Sequence, residues 1–97
     1  MLLGGKLVHG GANFTIDCSV RDMTDQGARV RLAGDVPLPE QVWLIVVNTG
    51  KAHEADVAWR TDREVGLRFL NEVDLTQTHG PGGGHPLRRI WLEAAAR

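Results

Sequence analysis

The chain has 97 residues, enough for one small folded domain and too few for two. Hydrophobic residues make up 42% and charged residues 24%, as in ordinary globular proteins, and the net charge of −1 argues against a broad basic face for nucleic acid polymers. The single cysteine, Cys18, excludes an intramolecular disulfide and fits a reducing compartment. Neither a secretory signal nor a run of roughly 20 apolar residues is present. We therefore expect a cytoplasmic protein.

The first third of the chain predicts a short strand followed by a hairpin. Residues 6–9 form the short strand, and Gly10-Gly11 is its turn. Residues 14–22 alternate between apolar and polar side chains, and residues 28–32 repeat the pattern. A period of two predicts strands with one face in the core and the other in water. In the longer strand, the side chains expected to face the core are Phe14, Ile16, Cys18 and Val20.

Three more strands are predicted after a proline-containing loop at residues 33–41. Residues 42–47 are apolar throughout, which suits a strand covered on both faces, and residues 54–60 and 65–69 alternate. Six short strands with short polar turns are typical of a small antiparallel barrel or sandwich. In the last two strands, the side chains expected to face the core are Ala55, Val57, Trp59, Val65, Leu67 and Phe69, with Gly66 facing outward.

The pattern changes after Asn71. Residues 72–77 predict one helical turn, and the glycine- and proline-rich remainder of residues 72–86 predicts a linker. Residues 87–97 predict a helix whose apolar stripe docks on the barrel or on a second subunit, because a helix this short is marginal by itself. We therefore divide the chain into a barrel (residues 1–71), a linker (72–86) and a C-terminal helix (87–97).

No arrangement of residues points to catalysis. The histidines are scattered, Ser19 is the only serine, and no phosphate-binding loop or Cys-x-x-Cys motif occurs. His79 and His85 flank the glycine-rich segment, but no cysteine or carboxylate cluster supplies the further ligands that a metal needs. We expect no enzymatic activity, no metal and no cofactor.

The connection between the second and third strands carries the most informative residues, Asp22, Thr24 and Gly27. In one interpretation, Asp22 and Thr24 cap their own backbone, and Gly27 supplies a positive φ. In the other, the same polar groups face a ligand. The local pattern favours the first interpretation, because such turns are common at the ends of strands.

These residues resemble the core motif of PilZ domains, small bacterial β-barrels that bind the second messenger cyclic di-GMP. The family motif is Asp or Asn, any residue, Ser, any two residues, Gly, and here it stands as Asp22, Thr24 and Gly27. A second block, with Trp59-Arg60 and then Gly66 and Phe69, is similar to the last two strands of the family. The resemblance covers roughly residues 5 to 71. It implies an all-β fold, a six-stranded antiparallel barrel followed by a C-terminal helix, and a role in cyclic di-GMP signalling.

The chain departs from the family at the arginines. PilZ domains that bind cyclic di-GMP carry Arg-x-x-x-Arg just before the first strand, whereas residues 1–20 contain no arginine and Lys6 is a poor replacement. Either these arginines lie upstream of the sequence given, or the domain no longer binds the nucleotide, or other outward-facing arginines take their role. Candidates for that role are Arg21, Arg29, Arg31, Arg60 and Arg68.

The expected ligand is cyclic di-GMP, bound weakly or not at all. If it binds, the resemblance implies that Asp22 and Thr24 contact a guanine edge, that Gly27 allows close approach, and that Arg21 and Arg29 meet phosphate. We expect a protein partner and keep a homodimer as an alternative. The alternative function is a ligand-independent adaptor, unrelated to nucleotide signalling, that binds a protein through the barrel face or the helix.

Overall fold

In the computed structural model, which describes residues 3–77 and 85–96, six strands close into an antiparallel barrel and one helix follows. Around the barrel the strand order is β1-β2-β3-β6-β5-β4, and β4 pairs with β1 to close the circle. The predicted all-β fold with six antiparallel strands and a C-terminal helix is confirmed. The elements are β1 (Leu3–His9), β2 (Phe14–Met23), β3 (Gly27–Leu32), β4 (Gln41–Val46), β5 (Lys51–Arg60), β6 (Glu64–Asp74) and α1 (Arg88–Ala95).

The barrel interior is filled by the apolar positions of the alternating strands. Every strand contributes to this core, which explains why the hydrophobic period of two is so clear in the sequence. The apolar strand β4 is covered on both faces, because Leu44 belongs to the interior and Ile45 belongs to a second cluster beneath the C-terminal segment. Fully buried members of the interior are Leu7, Val20, Val30, Leu44, Val46, Ala55 and Val65.

Two aromatic side chains predicted to face the core are exposed instead. Phe14, at the first position of β2, is 58% exposed, and Trp59 is 46% exposed. A register shift between Val57 and Trp59 inserts one residue into β5, which moves Trp59 onto the outer surface. Its indole covers Gly66 so closely that a Cβ on Gly66 would lie 2.0 Å from Trp59 Nε1.

Strand β6 continues to Asp74, three residues past the predicted end of the barrel at residue 71. The predicted helical turn over residues 72–77 is wrong, because residues 72–74 pair with β5. Leu75 then follows as a fully buried residue, and its N–H donates to the Gly50 carbonyl at 2.7 Å. The start of the predicted linker is therefore part of the folded core.

The C-terminal segment packs on the outside of the barrel, over β1, β4 and β5. Leu87 is buried there together with Leu75, and Trp91 contacts the same cluster. Two hydrogen bonds fix the position of the helix: Trp91 Nε1 donates to the Val47 carbonyl at 2.9 Å, and Arg88 Nη1 donates to the Leu75 carbonyl at 2.7 Å. The rest of the predicted linker, residues 78–84, lies outside the described residues, as do Met1, Leu2 and Arg97.

In the described part of the chain, α1 is the only helix, and it is too short to cross a membrane.

Candidate functional site

A β-bulge in β2 decides where the first motif residue lies. Val20 pairs with Val30 and Asp22 pairs with Arg29, so Arg21 is the extra residue between the two pairs. Val20 is buried, and simple alternation would bring Asp22 to the same inner face. The bulge shifts the alternation by one residue, and Asp22 lies exposed on the outer surface beside Arg29.

Residues 24–26 connect β2 to β3 in a tight loop that bonds to itself and to β6. The Thr24 N–H donates to the Gly27 carbonyl at 2.8 Å, and the Gln26 N–H donates to Thr24 Oγ1 at 3.2 Å. Thr24 therefore caps its own loop, as the first interpretation of the motif predicts. The Gln26 carbonyl accepts the Phe69 N–H at 2.8 Å, which fastens the loop to β6.

Gly27 is required by space and not by its φ angle. The predicted positive φ is wrong, because the described glycines with positive φ are Gly10, Gly11 and Gly50. A Cβ on Gly27 would lie 2.1 Å from the Leu67 carbonyl oxygen of the neighbouring strand β6. Close backbone packing between β3 and β6 thus explains the glycine.

Asp22 binds Arg29 instead of capping its own backbone. Arg29 Nε and Nη2 donate to Asp22 Oδ2 at 2.8 and 2.5 Å, and Arg29 Nη1 donates to Glu64 Oε2 at 2.9 Å. These interactions, above all the hydrogen bonding to Asp22, raise the pKa of the Arg29 guanidinium. One guanidinium between two carboxylates leaves a local net charge of −1.

The outer surface at the motif forms a shallow open depression of about 370 Å³. Four of the five predicted site residues line it: Asp22, Thr24, Gly27 and Arg29. The fifth, Arg21, is half-buried and does not line the depression, and its side chain makes no hydrogen bond or ion pair within residues 3–77 and 85–96. The volume lies in the range of small-molecule sites, although such sites are usually more enclosed.

Three further residues belong to this surface: Arg68 is one of the candidate arginines named from the sequence, whereas Glu64 and Trp59 are not predicted as site residues. Glu64 holds Arg29, and Trp59 covers Gly66, which pairs with Arg29. Arg68 lines the depression and donates from Nη2 to Asp56 Oδ2 at 2.6 Å, which lowers the pKa of Asp56. The outward position of Arg68 was visible in the alternation, but its ion pair depends on a neighbouring strand.

The described part of the chain gives no support for a nucleophilic cysteine or for a metal site. Burial raises the pKa of the Cys18 thiol to about 12, so it is not a thiolate nucleophile at neutral pH. No group of three or more potential metal ligands lies together within the described ranges, and His79 falls outside them. His85 Nδ1 accepts the Leu87 N–H at 3.2 Å, which gives this imidazole a structural role at the start of the helix.

His53 is a buried polar residue on the inner side of β5. It is 5% exposed, and its ring stacks on Phe69 with the two ring centroids 4.2 Å apart. Its Nε2 atom is buried and has no hydrogen-bond partner among the described residues, while Nδ1 lies 3.9 Å from Glu72 Oε1. Burial lowers the pKa of His53, Glu72 opposes this shift, and Lys51 adds to it.

We expect the protein to lose stability as the pH falls below about 6.5, the pKa of an unfolded histidine. Because the pKa of His53 is lowered in the folded state, the unfolded chain takes up the proton more readily. The measurement is the free energy of unfolding at pH 7.5 and at pH 5.5. The difference should shrink in H53L and persist in H9Q, which alters a half-exposed histidine at the end of β1. Equal pH dependence in H53L and the wild type would contradict the assignment to His53.

Comparison with known proteins identifies the family. Neither the curated proteins nor the solved structures that were searched gave a match. The family model of the PilZ domain matches residues 3–79, which includes all six strands and the motif connection between β2 and β3. With the closed six-stranded barrel and the Asp22, Thr24 and Gly27 motif already established, this match shows that the chain belongs to the PilZ domain family.

Proposed function

We propose that the chain acts as an adaptor in cyclic di-GMP signalling, works through protein contacts, and binds cyclic di-GMP weakly or not at all. PilZ domains are binding and adaptor domains of this signalling system, and they are generally not enzymes. We further propose that the protein is cytoplasmic, in keeping with its single unpaired cysteine. The proposal for the ligand rests on the ion pairs that the arginines at the motif already form.

The observation that carries the proposal is that each guanidinium lining the motif depression is already bonded to a carboxylate. Arg29 is held by Asp22 and Glu64, and Arg68 is held by Asp56. A cyclic dinucleotide carries two negatively charged phosphodiesters, so it would have to compete with these carboxylates for the same N–H donors. A phosphate would gain little net energy from such an exchange.

The sequence adds a second reason. Residues 3–20, which form β1, the following turn and most of β2, contain no arginine that could contact a phosphate. Lys6 is the one cation of that segment, and its ammonium pairs with Asp17. A point charge on a flexible stem lacks the planar, bidentate donor geometry of arginine.

Protein contacts are favoured by the outer surface around the motif. Trp59 is exposed there, beside the polar side chains of β3 and β6. Exposed tryptophan with arginine nearby is typical of the residues that dominate protein interfaces. The Trp59 indole packs against Gly66, so it lies on the barrel surface with 46% of the residue exposed to a partner.

Calorimetric titration with cyclic di-GMP tests the proposal. For the wild type we expect no heat of binding, or a dissociation constant above about 100 µM, equivalent to less than about 5.5 kcal/mol of binding energy. Circular dichroism confirms that the barrel is folded in the same sample. Binding at low micromolar ligand that is lost in D22A would overturn the proposal and make the domain a receptor.

A second titration tests the reason for weak binding. E64Q removes one of the two carboxylates on Arg29 and should strengthen cyclic di-GMP binding by up to about tenfold. The matched control is D35N, which removes one negative charge from the Asp35–Arg60 pair and leaves Arg29 unchanged. Equal increases in affinity in E64Q and D35N would mean that only the net charge matters. The Arg29–Glu64 hydrogen bond would then not limit binding of cyclic di-GMP.

A further inference from the structure

A second depression lies on the outer face of the barrel and shares no lining residue with the motif depression. It has a volume of about 320 Å³ and is bounded by β2, by β3 and by the turn between β5 and β6. Ser19 and Arg31 face each other across β2 and β3 in register, and Arg63 comes from the turn. No motif residue lines this depression, so it is a separate feature of the surface.

Within the described ranges, the two arginines of this depression have side chains without a bonding partner. Arg31 and Arg63 are both exposed, and neither forms a hydrogen bond or ion pair through its side chain within the described ranges. Three other barrel arginines differ, because Arg29, Arg60 and Arg68 each bond to a carboxylate. Two free guanidinium groups beside one depression form a positively charged surface on a chain whose overall charge is slightly negative.

The neighbouring carboxylates do not neutralise this pair. Glu64 stands opposite Arg31 in register, but its carboxylate accepts from Arg29. Asp17 lines the depression, and its carboxylate pairs with the Lys6 ammonium, which offsets part of its negative charge. Asp62, next to Arg63 in the chain, does not line the depression. The positive charge of the two arginines therefore remains available to an external anion.

The backbone holds the pair in place. The Leu32 N–H donates to the Arg63 carbonyl at 2.6 Å, which ties the turn to the end of β3. The turn itself is closed by two bonds, from the Thr61 N–H to the Glu64 carbonyl at 2.9 Å and from the Glu64 N–H to Thr61 Oγ1 at 3.1 Å. Less ordering is needed on binding when the backbone of both arginines is already fixed.

We infer that Arg31, Arg63 and Ser19 form a binding site for a carboxylate-rich, acidic segment of a protein partner. Guanidinium groups donate paired hydrogen bonds to oxyanions, and the Ser19 hydroxyl adds a further donor. Among the described residues, no aromatic side chain lines the depression, so a nucleotide base could stack only on the guanidinium groups themselves. This inference deepens the proposed function, since it rests on the proposed role of protein contacts and names the chemistry of the partner.

The test is an NMR titration with hexaglutamate peptide at low ionic strength, following the Nε–Hε signals of the arginines. We expect saturable shifts of the Arg31 and Arg63 signals. The double variant R31Q/R63Q should bind the peptide at least about tenfold more weakly, because it loses two charge-assisted contacts. The matched control is R60Q/R68Q, which changes the net charge equally but removes arginines that are already paired. The control should bind within about twofold of the wild type.

Each other outcome would overturn the inference. Equal weakening in both double variants would mean that only overall charge attracts the peptide. Inorganic phosphate binding as tightly as the peptide would mean a site for a small ion only. Shifts of the Arg31 and Arg63 signals with cyclic di-GMP but not with the peptide would assign the site to the nucleotide. The calorimetric titration at the motif tests the proposed function separately, since neither Arg31 nor Arg63 lines the motif depression.

Discussion

Replacing Gly27 with alanine is expected to lower the free energy of unfolding by about 3 kcal/mol, the upper end of the range for overpacking. The added Cβ would lie 2.1 Å from the Leu67 carbonyl oxygen. That oxygen belongs to the backbone of the paired strand β6, so it cannot rotate away as a side chain does. The melting temperature should fall by more than about 10 °C in a domain of this size. Thermal and chemical unfolding of G27A measure the effect.

Two glycine variants serve as controls for G27A. In β1, a Cβ on Gly4 has no atom within 4 Å, so G4A should change the stability by less than about 1 kcal/mol. In β6, a Cβ on Gly66 meets the exposed indole of Trp59, which can turn outward, so G66A should fall between the other two. If G27A is no less stable than G4A, then β3 and β6 do not pack closely at the motif.

Replacing Leu75 with alanine is expected to lower the free energy of unfolding by about 3 kcal/mol, as for other fully buried leucines. Leu75 is 0% exposed and lies between the barrel and the C-terminal segment, in contact with a cluster that includes Ile45 and Leu87. The substitution would leave a cavity that these elements cannot close without moving the helix. Chemical denaturation followed by tryptophan fluorescence gives the free energy of unfolding.

The control for L75A is L70A, only five positions earlier in the sequence. Leu70 lies in the middle of β6 but is 41% exposed, so its removal should cost less than about 1 kcal/mol. The comparison tests whether the folded domain ends at residue 71 or includes residue 75. If the barrel ended at residue 71, the change at residue 75 would be the harmless one. A larger loss of stability in L70A than in L75A would show that the cluster under the helix does not form.

Most of the barrel could be predicted because its strands bury one face each. The alternation in β2, β3 and β6 identifies Val20, Val30 and Val65 as core residues without knowledge of their partners. Trp59 could not be placed in this way. Its outward position results from a register shift between β5 and β6, and such a shift depends on how two distant segments pair.

The end of the barrel was predicted too early for a related reason. Residues 72–74 contain polar side chains, so their local pattern does not resemble a strand with a buried face. They extend β6 because Lys51, Ala52 and His53 offer a complementary strand. Leu75 is an isolated apolar residue in the sequence, and its burial becomes apparent only when the helix is placed over it.

The motif residues could be identified from the sequence, but their hydrogen-bond partners could not. Asp22, Thr24 and Gly27 stand at the spacing typical of PilZ domains. The carboxylate that completes the hold on Arg29 comes from Glu64, 35 residues further along the chain. Spacing within a motif cannot reveal such a partner, so the resemblance predicted which residues meet at the surface and not whether Arg29 is free.

The closed strand order of this barrel limits how another protein can recognise it. Many small sheet domains bind peptides by letting them add as an extra strand to a free edge, where affinity comes from backbone hydrogen bonds and depends little on sequence. Because β1 pairs with β4 and closes the circle, the barrel offers no such edge. A partner of this barrel is therefore expected to bind mainly through the outward side chains and not by adding a strand. Single surface substitutions can then change the partner of the domain while the barrel beneath stays the same.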